Sequence, residues 1–316
     1  MPAFDKIVVV TQKTALDELV ERYNTRDQAR FYLERMGTPY EPYQQAHDAY
    51  RGAFNWLKKH LPGELRSQVI ERSLLPNFLF GERDLVVVLG RDGLVVNAAK
   101  YLSKQPIVAF NPDPHRIDGV LLPFSIGEVD AAFQAVLSGK TTTRRMTMAK
   151  ASLNDGQSLL AVNDLFIGQQ THVSARYRLQ FQEREEDQSS SGIIVSTGAG
   201  STGWFRSILA GAAGVAEGFD RKKTPRLRER YQFSSEAEHL YFSVREPFAS
   251  KASGAELTFG RIDRDDELII TSQMPQRGVI FSDGVEADYL EFNSGRIARI
   301  GVADRKVNLV VPAGRD

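Results

Sequence analysis

LVVVLGRDGLVVNAAKYL occupies residues 85–102, and its reading decides the fold. The unbroken apolar run from Leu85 to Leu89 has the pattern of a strand buried on both faces. It stops at Gly90-Arg91-Asp92-Gly93, and a helical pattern resumes over 95–103. Strand, glycine turn and helix form the repeating unit of a parallel sheet, whose ligands bind at the C-terminal strand ends. Two glycines around a carboxylate let the backbone come close to a ligand and present one acid to it. The same four residues also make a tight strand-to-helix turn with no ligand at all.

The flanking sequence supports an open α/β domain over residues 1–139. A β-branched run, 7–10, ends at Thr11, and Thr14 is placed to cap a helix carrying Leu16, Leu19, Val20 and Tyr23. A second amphipathic helix is expected over 44–60, with Ala46, Tyr50, Phe54 and Leu57 on one face and Pro62-Gly63 as its stop. Residues 67–80 show no clear period. A further strand, 107–110, leads into Asn111-Pro112-Asp113-Pro114. Beyond residue 140 the pattern becomes one of short strands, at 144–149, 158–167, 174–182, 192–195, 267–271, 278–281 and 297–302. One helix, 203–215, interrupts them, and the polar, basic stretch 217–230 reads as a surface excursion. Residues 140–302 are therefore expected to form a β-rich domain, with the apolar run 307–311 carrying the segment 303–316 back to the first domain.

Composition excludes several classes of function. The chain has 316 residues, 42% hydrophobic and 25% charged, which suits a folded protein of two domains. Forty basic residues balance forty acidic ones. Nothing in that balance points to nucleic acid or to a membrane surface. The absence of cysteine rules out disulfides, thiolate nucleophiles and zinc ribbons. The first residues hold too short an apolar run for a signal peptide, and no run reaches the roughly 18 apolar residues of a spanning helix. A soluble, cytoplasmic protein is expected. The five histidines, His47, His60, His115, His172 and His239, lack metal-site spacing and read as surface or core-edge residues, so no metal ligands are assigned.

Two further stretches carry polar groups where a strand ends. In Ser196-Thr197-Gly198-Ala199-Gly200-Ser201-Thr202-Gly203-Trp204, small residues and hydroxyls open a helix whose N-terminal N–H groups favour an anion such as phosphate. The stretch matches neither G-x-x-x-x-G-K-[ST] nor G-x-G-x-x-G. In SLLAVNDLFIG, Asn163 and Asp164 interrupt an apolar run. An amide beside a carboxylate suits ribose hydroxyls or a base edge, and burying both without partners is costly. Taken singly, these two stretches also read as a capped helix start and as a turn or bulge between two strands.

In combination and in this order, the three motifs resemble the NAD kinase family. The likeness extends over VVTQKT, the pair Arg22-Tyr23, FNPDPHRIDGVLLP at 110–123, SSGIIVSTGAGSTGW at 190–204, FSVREPFAS at 242–250, the SDG at 282–284 and LEFNSGRIA at 290–298. These segments look most like the mitochondrial type and its bacterial relatives. The resemblance implies a Rossmann-like α/β domain followed by a β-sandwich-like domain, with an active site in the cleft between them. It implies transfer of the terminal phosphate of ATP, with Mg²⁺, to the 2′-hydroxyl of the adenosine ribose of NAD(H). A homodimer is implied in the same way. The family's Gly-Gly-Asp-Gly-Thr falls on Gly90, Arg91, Asp92, Gly93 and Leu94, which makes Asp92 the acid that orients or deprotonates the hydroxyl. Asn163 and Asp164 would hold the dinucleotide. Gly200, Ser201, Thr202, Gly203 and Trp204 would line its adenine side, Asn111 would face the ligand, and Asp283 with Gly284 would lie near the phosphate donor.

Arg91 and Leu94 depart from the family's glycine and threonine, both at the phosphate turn. Arginine there either blocks the backbone's approach to phosphate or binds phosphate itself. The competing reading is thus a protein that binds NAD or NADP with weak or no catalysis, in a regulatory or sensing role. The basic run Arg221-Lys222-Lys223 with Arg226, Arg228 and Arg230 reads as a solvated loop.

Overall fold

The computed structural model describes residues 4–219 and 232–313, so the basic run from Arg221 to Arg230 lies outside the described residues. The chain divides into two compact units, residues 1–144 with 308–316, and residues 145–307.

The first unit runs β1 (Lys6–Thr11), α1 (Ala15–Tyr23), α2 (Arg26–Arg35), α3 (Glu41–Lys59), β2 (Arg66–Glu71), β3 (Asp84–Leu89), α4 (Asp92–Ala99), β4 (Pro106–Asn111), the short β5 (Phe124–Ser125) and α5 (Val129–Leu137). β1 pairs in parallel with both β2 and β3, and β3 with β4. The chain therefore leaves β1 toward β2 and returns on its other side for β3. That reversal makes the C-terminal ends of β1 and β3 the point where the strand order switches, the usual ligand position in such sheets. β3 is buried along its whole length, which accounts for its unbroken apolar run. Tyr50 of α3 ties the two strand ends together, because its hydroxyl accepts from Gln12 N–H (3.1 Å) and donates to the Leu89 carbonyl (3.2 Å).

Thr14 caps α1 in a reciprocal capping box with Asp17. α2 escapes sequence reading because it buries only Ala29 and Leu33. α4 begins at Asp92, before its apolar pattern starts, so the carboxylate lies inside the first helical turn. The stretch 67–80 lacks a period because β2 is a largely exposed edge strand followed by a 3₁₀ turn, Arg72–Asn77. His47 differs from expectation: it is buried, with Arg26 donating to Nε2 (3.2 Å). Since arginine only donates, Nδ1 carries the proton and donates to Thr14 Oγ1 (2.8 Å).

The second unit contains β6 (Thr142–Leu153), β7 (Ser158–Ala161), β8 (Asp164–Gln169), β9 (Ala175–Phe181), β10 (Arg184–Ser190), β11 (Ile193–Ser196), α6 (Trp204–Phe219), β12 (His239–Val244), β13 (Phe259–Asp263), β14 (Leu268–Ser272), β15 (Gly278–Ser282), β16 (Val285–Glu291) and β17 (Ile297–Val311). One sheet contains the antiparallel run β10-β9-β14-β17, and the other has the order β13-β12-β11-β8-β15-β16. Tyr177, Leu179, Ile270 and Ile300 from the first meet Leu165, Ile167, Val195, Phe242 and Ile280 from the second in one core. The alternation in β8 sends Phe166 to the opposite face, where it packs with Ile194, Val279 and Trp204 of α6. The expected strand 297–302 and the apolar run 307–311 are one continuous β17, whose end pairs in parallel with β4 inside the first unit. Conversely, the expected strand 158–167 is two, broken at Val162 and Asn163.

Among the described residues no helix is long and apolar enough to cross a membrane. Replacing Tyr50 by Phe removes the hydroxyl shared by Gln12 and Leu89 and should destabilise the protein by about 1–3 kcal/mol. Chemical denaturation checks this, and an unchanged midpoint would contradict the bridging role.

Candidate functional site

In the first unit, the turn after β3 presents Asp92 at the start of α4. Its Oδ1 accepts a short hydrogen bond from Leu121 N–H, at 2.6 Å. Gly90 is buried, and a Cβ there would lie 2.8 Å from Leu94 Cδ2, so any larger residue would push the leucine side chain aside. Leu94 itself is 1% exposed and belongs to the core. Gly93 is exposed, with open space where a Cβ would stand; Leu94 N–H donates to the Arg91 carbonyl (2.9 Å), and the N–H groups of Asp92 and Gly93 before it have no acceptor among the described residues. Arg91 is exposed, and its guanidinium has no partner among the described residues. Among the described residues the turn therefore combines the unpaired N–H groups of Asp92 and Gly93, the unpaired guanidinium of Arg91 and the Asp92 carboxylate.

Asn111, at the end of β4, is 5% exposed. Its Nδ2 donates to the Ile117 carbonyl (2.9 Å) and its Oδ1 accepts from Asp113 N–H (3.0 Å). Its side chain is thus engaged with its own loop.

In the second unit two separate segments, the β15–β16 turn and the glycine-rich loop, converge on the backbone of residues 162–164. Asp283 supplies the first, its Oδ1 accepting from Asn163 N–H (2.7 Å) and Asp164 N–H (3.3 Å), and its Oδ2 from Val162 N–H (3.1 Å). Asp283 and Gly284 both have positive φ, 56° and 69°, and form the tight turn between β15 and β16. The glycine-rich loop supplies the second. Thr197 N–H donates to the Asn163 carbonyl (2.9 Å), and Thr197 Oγ1 donates to the Val162 carbonyl (2.5 Å). Gly200 approaches so closely that a Cβ there would lie 2.1 Å from the Asn163 carbonyl oxygen. Gly198 meets Ser234 in the same way, at 1.9 Å. These two glycines are demanded by backbone packing. Ser201 is buried, its Oγ donating to the Gly198 carbonyl (2.7 Å). Thr202 and Gly203 are exposed, and Trp204 opens α6. Its ring stacks on Phe166 at 5.8 Å, while Arg245 stands over it at 5.3 Å. Thr197 lay in the stretch singled out from sequence but was given no role of its own, and Leu121 and Arg245 were not singled out; Leu121 acts through a backbone N–H, which no side-chain motif reveals.

The corner presents two side chains of different character. Asn163 is half-buried, and its amide has no hydrogen-bond partner among the described residues. Asp164 is buried, and burial first, then the neighbouring Asp283, pushes its carboxyl up to about 7. Among the described residues no group of three or more His, Cys, Asp or Glu is placed to hold a metal ion.

Because the folded state holds the Asp164 proton more tightly than the unfolded chain does, its carboxyl costs nothing below about pH 4, where both states are protonated. The cost grows from there to about pH 7 and is constant above. Asp164→Asn should therefore gain stability relative to the parent protein as pH rises through this window, by up to about 4 kcal/mol. Denaturation curves at pH 4 and pH 8 check this, and a pH-independent difference would contradict it.

No family model matches the chain. It is 30% identical over 171 residues to the NAD kinase of Geobacter sp. (strain M21), a match covering 49% of this chain and 56% of that one. The NAD kinase of Citrifermentans bemidjiense matches over the same shares at 28% identity. The chain thus spans little more than half the length of these bacterial relatives. Mitochondrial NAD kinase 2 of Rattus norvegicus is 24% identical over 93% of this chain and 84% of its own. Among solved structures, yeast NADH kinase complexed with NADH superposes with a TM-score of 0.63 at 15% identity, covering 99% of this chain and 84% of that one. An Archaeoglobus fulgidus NAD kinase in complex with ATP gives 0.55 at 17% identity, covering 96% and 92%. The fold is that of the NAD kinases, and the sequence resembles theirs in both the bacterial and the mitochondrial form.

Proposed function

We propose that this chain transfers the terminal phosphate of ATP to the 2′-hydroxyl of the adenosine ribose of NAD(H), giving NADP(H). The observation that carries the reading is Asp92: a carboxylate at the C-terminal edge of a parallel sheet, at the matching position of the family's acid, with one oxygen held by Leu121 N–H. An Asp92 fixed in this way orients the attacking hydroxyl, and proton removal develops only as the new bond forms. The free N–H groups beside Gly93 and the unpartnered Arg91 suit the phosphates of the donor. Asn163 and Asp164 hold the dinucleotide's ribose, with Asp164 accepting from a hydroxyl as the carboxylate or donating as the acid. Gly200, Ser201, Thr202, Gly203 and Trp204 shape the adenine side, and Asp283 acts through the backbone it holds. Mg²⁺ would come with the donor phosphates, since no carboxylate cluster among the described residues is placed to hold it, and would supply charge neutralisation. A homodimer in the cytoplasm belongs to the same reading.

One observation favours the non-catalytic alternative: where the family has a threonine hydroxyl, Leu94 is spent in the core. NADP formation from NAD, ATP and Mg²⁺ separates the two. We expect turnover by the parent protein, and a loss of roughly 100-fold or more in Asp92→Asn with NAD binding retained. Arg91→Gly should raise the KM for ATP. NAD binding with no product would establish the dinucleotide-binding protein instead.

A further inference from the structure

The polar side chain nearest in sequence to the β4 end does not reach outward. Both functional atoms of the buried Asn111 are taken by the loop that follows it, Oδ1 by Asp113 N–H and Nδ2 by the Ile117 carbonyl. Gly119 closes over the same amide with φ of 65°, where a Cβ would lie 2.6 Å from Asn111 Nδ2. Gly119 then accepts from Leu122 N–H (3.0 Å), and Leu121 and Leu122 anchor the loop's end in the core. Leu121 N–H, set between these fixed points, donates to Asp92 Oδ1 at 2.6 Å. Outside the loop, Arg116 spans Asp113 (2.7 Å) and Gln45 of α3 (2.6 Å), which limits its movement as a body.

We propose that Asn111 and Gly119 form a clasp that sets the 112–122 loop so that Leu121 N–H holds one oxygen of Asp92 and leaves the other for the acceptor hydroxyl. Asn111 is then a positioning residue that acts through Asp92, and it contacts no ligand. The inference rests on the kinase reading for its consequence in catalysis, but the clasp itself stands on the hydrogen bonds alone.

The test has two arms. In amide NMR spectra of the full chain, Leu121 N–H should resonate far downfield, as a short bond to a carboxylate requires, and should move upfield in Asp92→Ala, in Asn111→Ala and in Gly119→Ala. A Leu121 resonance unmoved by both loop variants, measured while each remains folded, would overturn the clasp. In turnover, Asn111→Ala should lower kcat about 10-fold or more with KM for NAD and ATP within about twofold, and should have little further effect in the Asp92→Ala background. An equal loss in both backgrounds, or a loss confined to KM, would make Asn111 a ligand contact and overturn the proposal. Asn111→Asp keeps the acceptor for Asp113 N–H but not the donor to Ile117, and should fall between the parent and Asn111→Ala. Absence of turnover in the parent protein would count against the kinase reading, and the NMR arm would still decide the clasp.

Discussion

The second unit's candidate site depends on one carboxylate. Asp283 collects three consecutive backbone N–H groups, those of Val162, Asn163 and Asp164, at the point where β7 gives way to β8. Those groups would otherwise be unpaired donors at a break between strands, each costing on the order of 1–3 kcal/mol if left buried and unsatisfied. With them satisfied, the chain turns sharply, frees the Asn163 side chain, and drives Asp164 inward. Asp283 and Gly284 both take positive φ to place the carboxylate there, a conformation that an Asp-Gly hairpin turn accommodates.

That arrangement places two acids side by side. Asp283 is spent on the backbone, and its charge, with burial, makes Asp164 hold its proton near neutrality. A group buried at a stability cost, whose side chain has no hydrogen-bond partner among the described residues, is the pattern of a functional residue. The glycine-rich loop serves the same corner by proximity. Gly198 and Gly200 allow backbone to lie against backbone, and Thr197 fastens the loop to Val162. What reads as a phosphate loop in the sequence is thus also a packing device.

The fold class was legible because its signals are local. Leu85 to Leu89 is apolar throughout since β3 is covered on both faces, and β9 alternates since only one of its faces meets the core. Elements without such a contrast were not visible: α2 buries two small contacts, and β10 is polar along much of its length. The interruption at Asn163 was visible, but that it divides the run into two strands was not, because what ends β7 is a carboxylate about 120 residues away in sequence. Asp92, Asn163 and Asp164 stood out as polar groups in apolar surroundings. The supports of Asp92 did not, since a backbone N–H has no sequence signature and Asn111 looks alike whether it faces a ligand or its own loop.

The departures at Arg91 and Leu94 acquire separate meanings in the structure. Leu94 fills the space that Gly90 leaves, so the pair is a packing unit. Arg91 points to no partner within the described chain and adds a cation beside open N–H groups. The most direct measurement of the central claim is to incubate the protein with NAD and ATP labelled at its terminal phosphate, and to locate the label. The account predicts label on the 2′-position of the adenosine ribose; unlabelled NAD recovered from protein that binds it, or label at any other position, would contradict it.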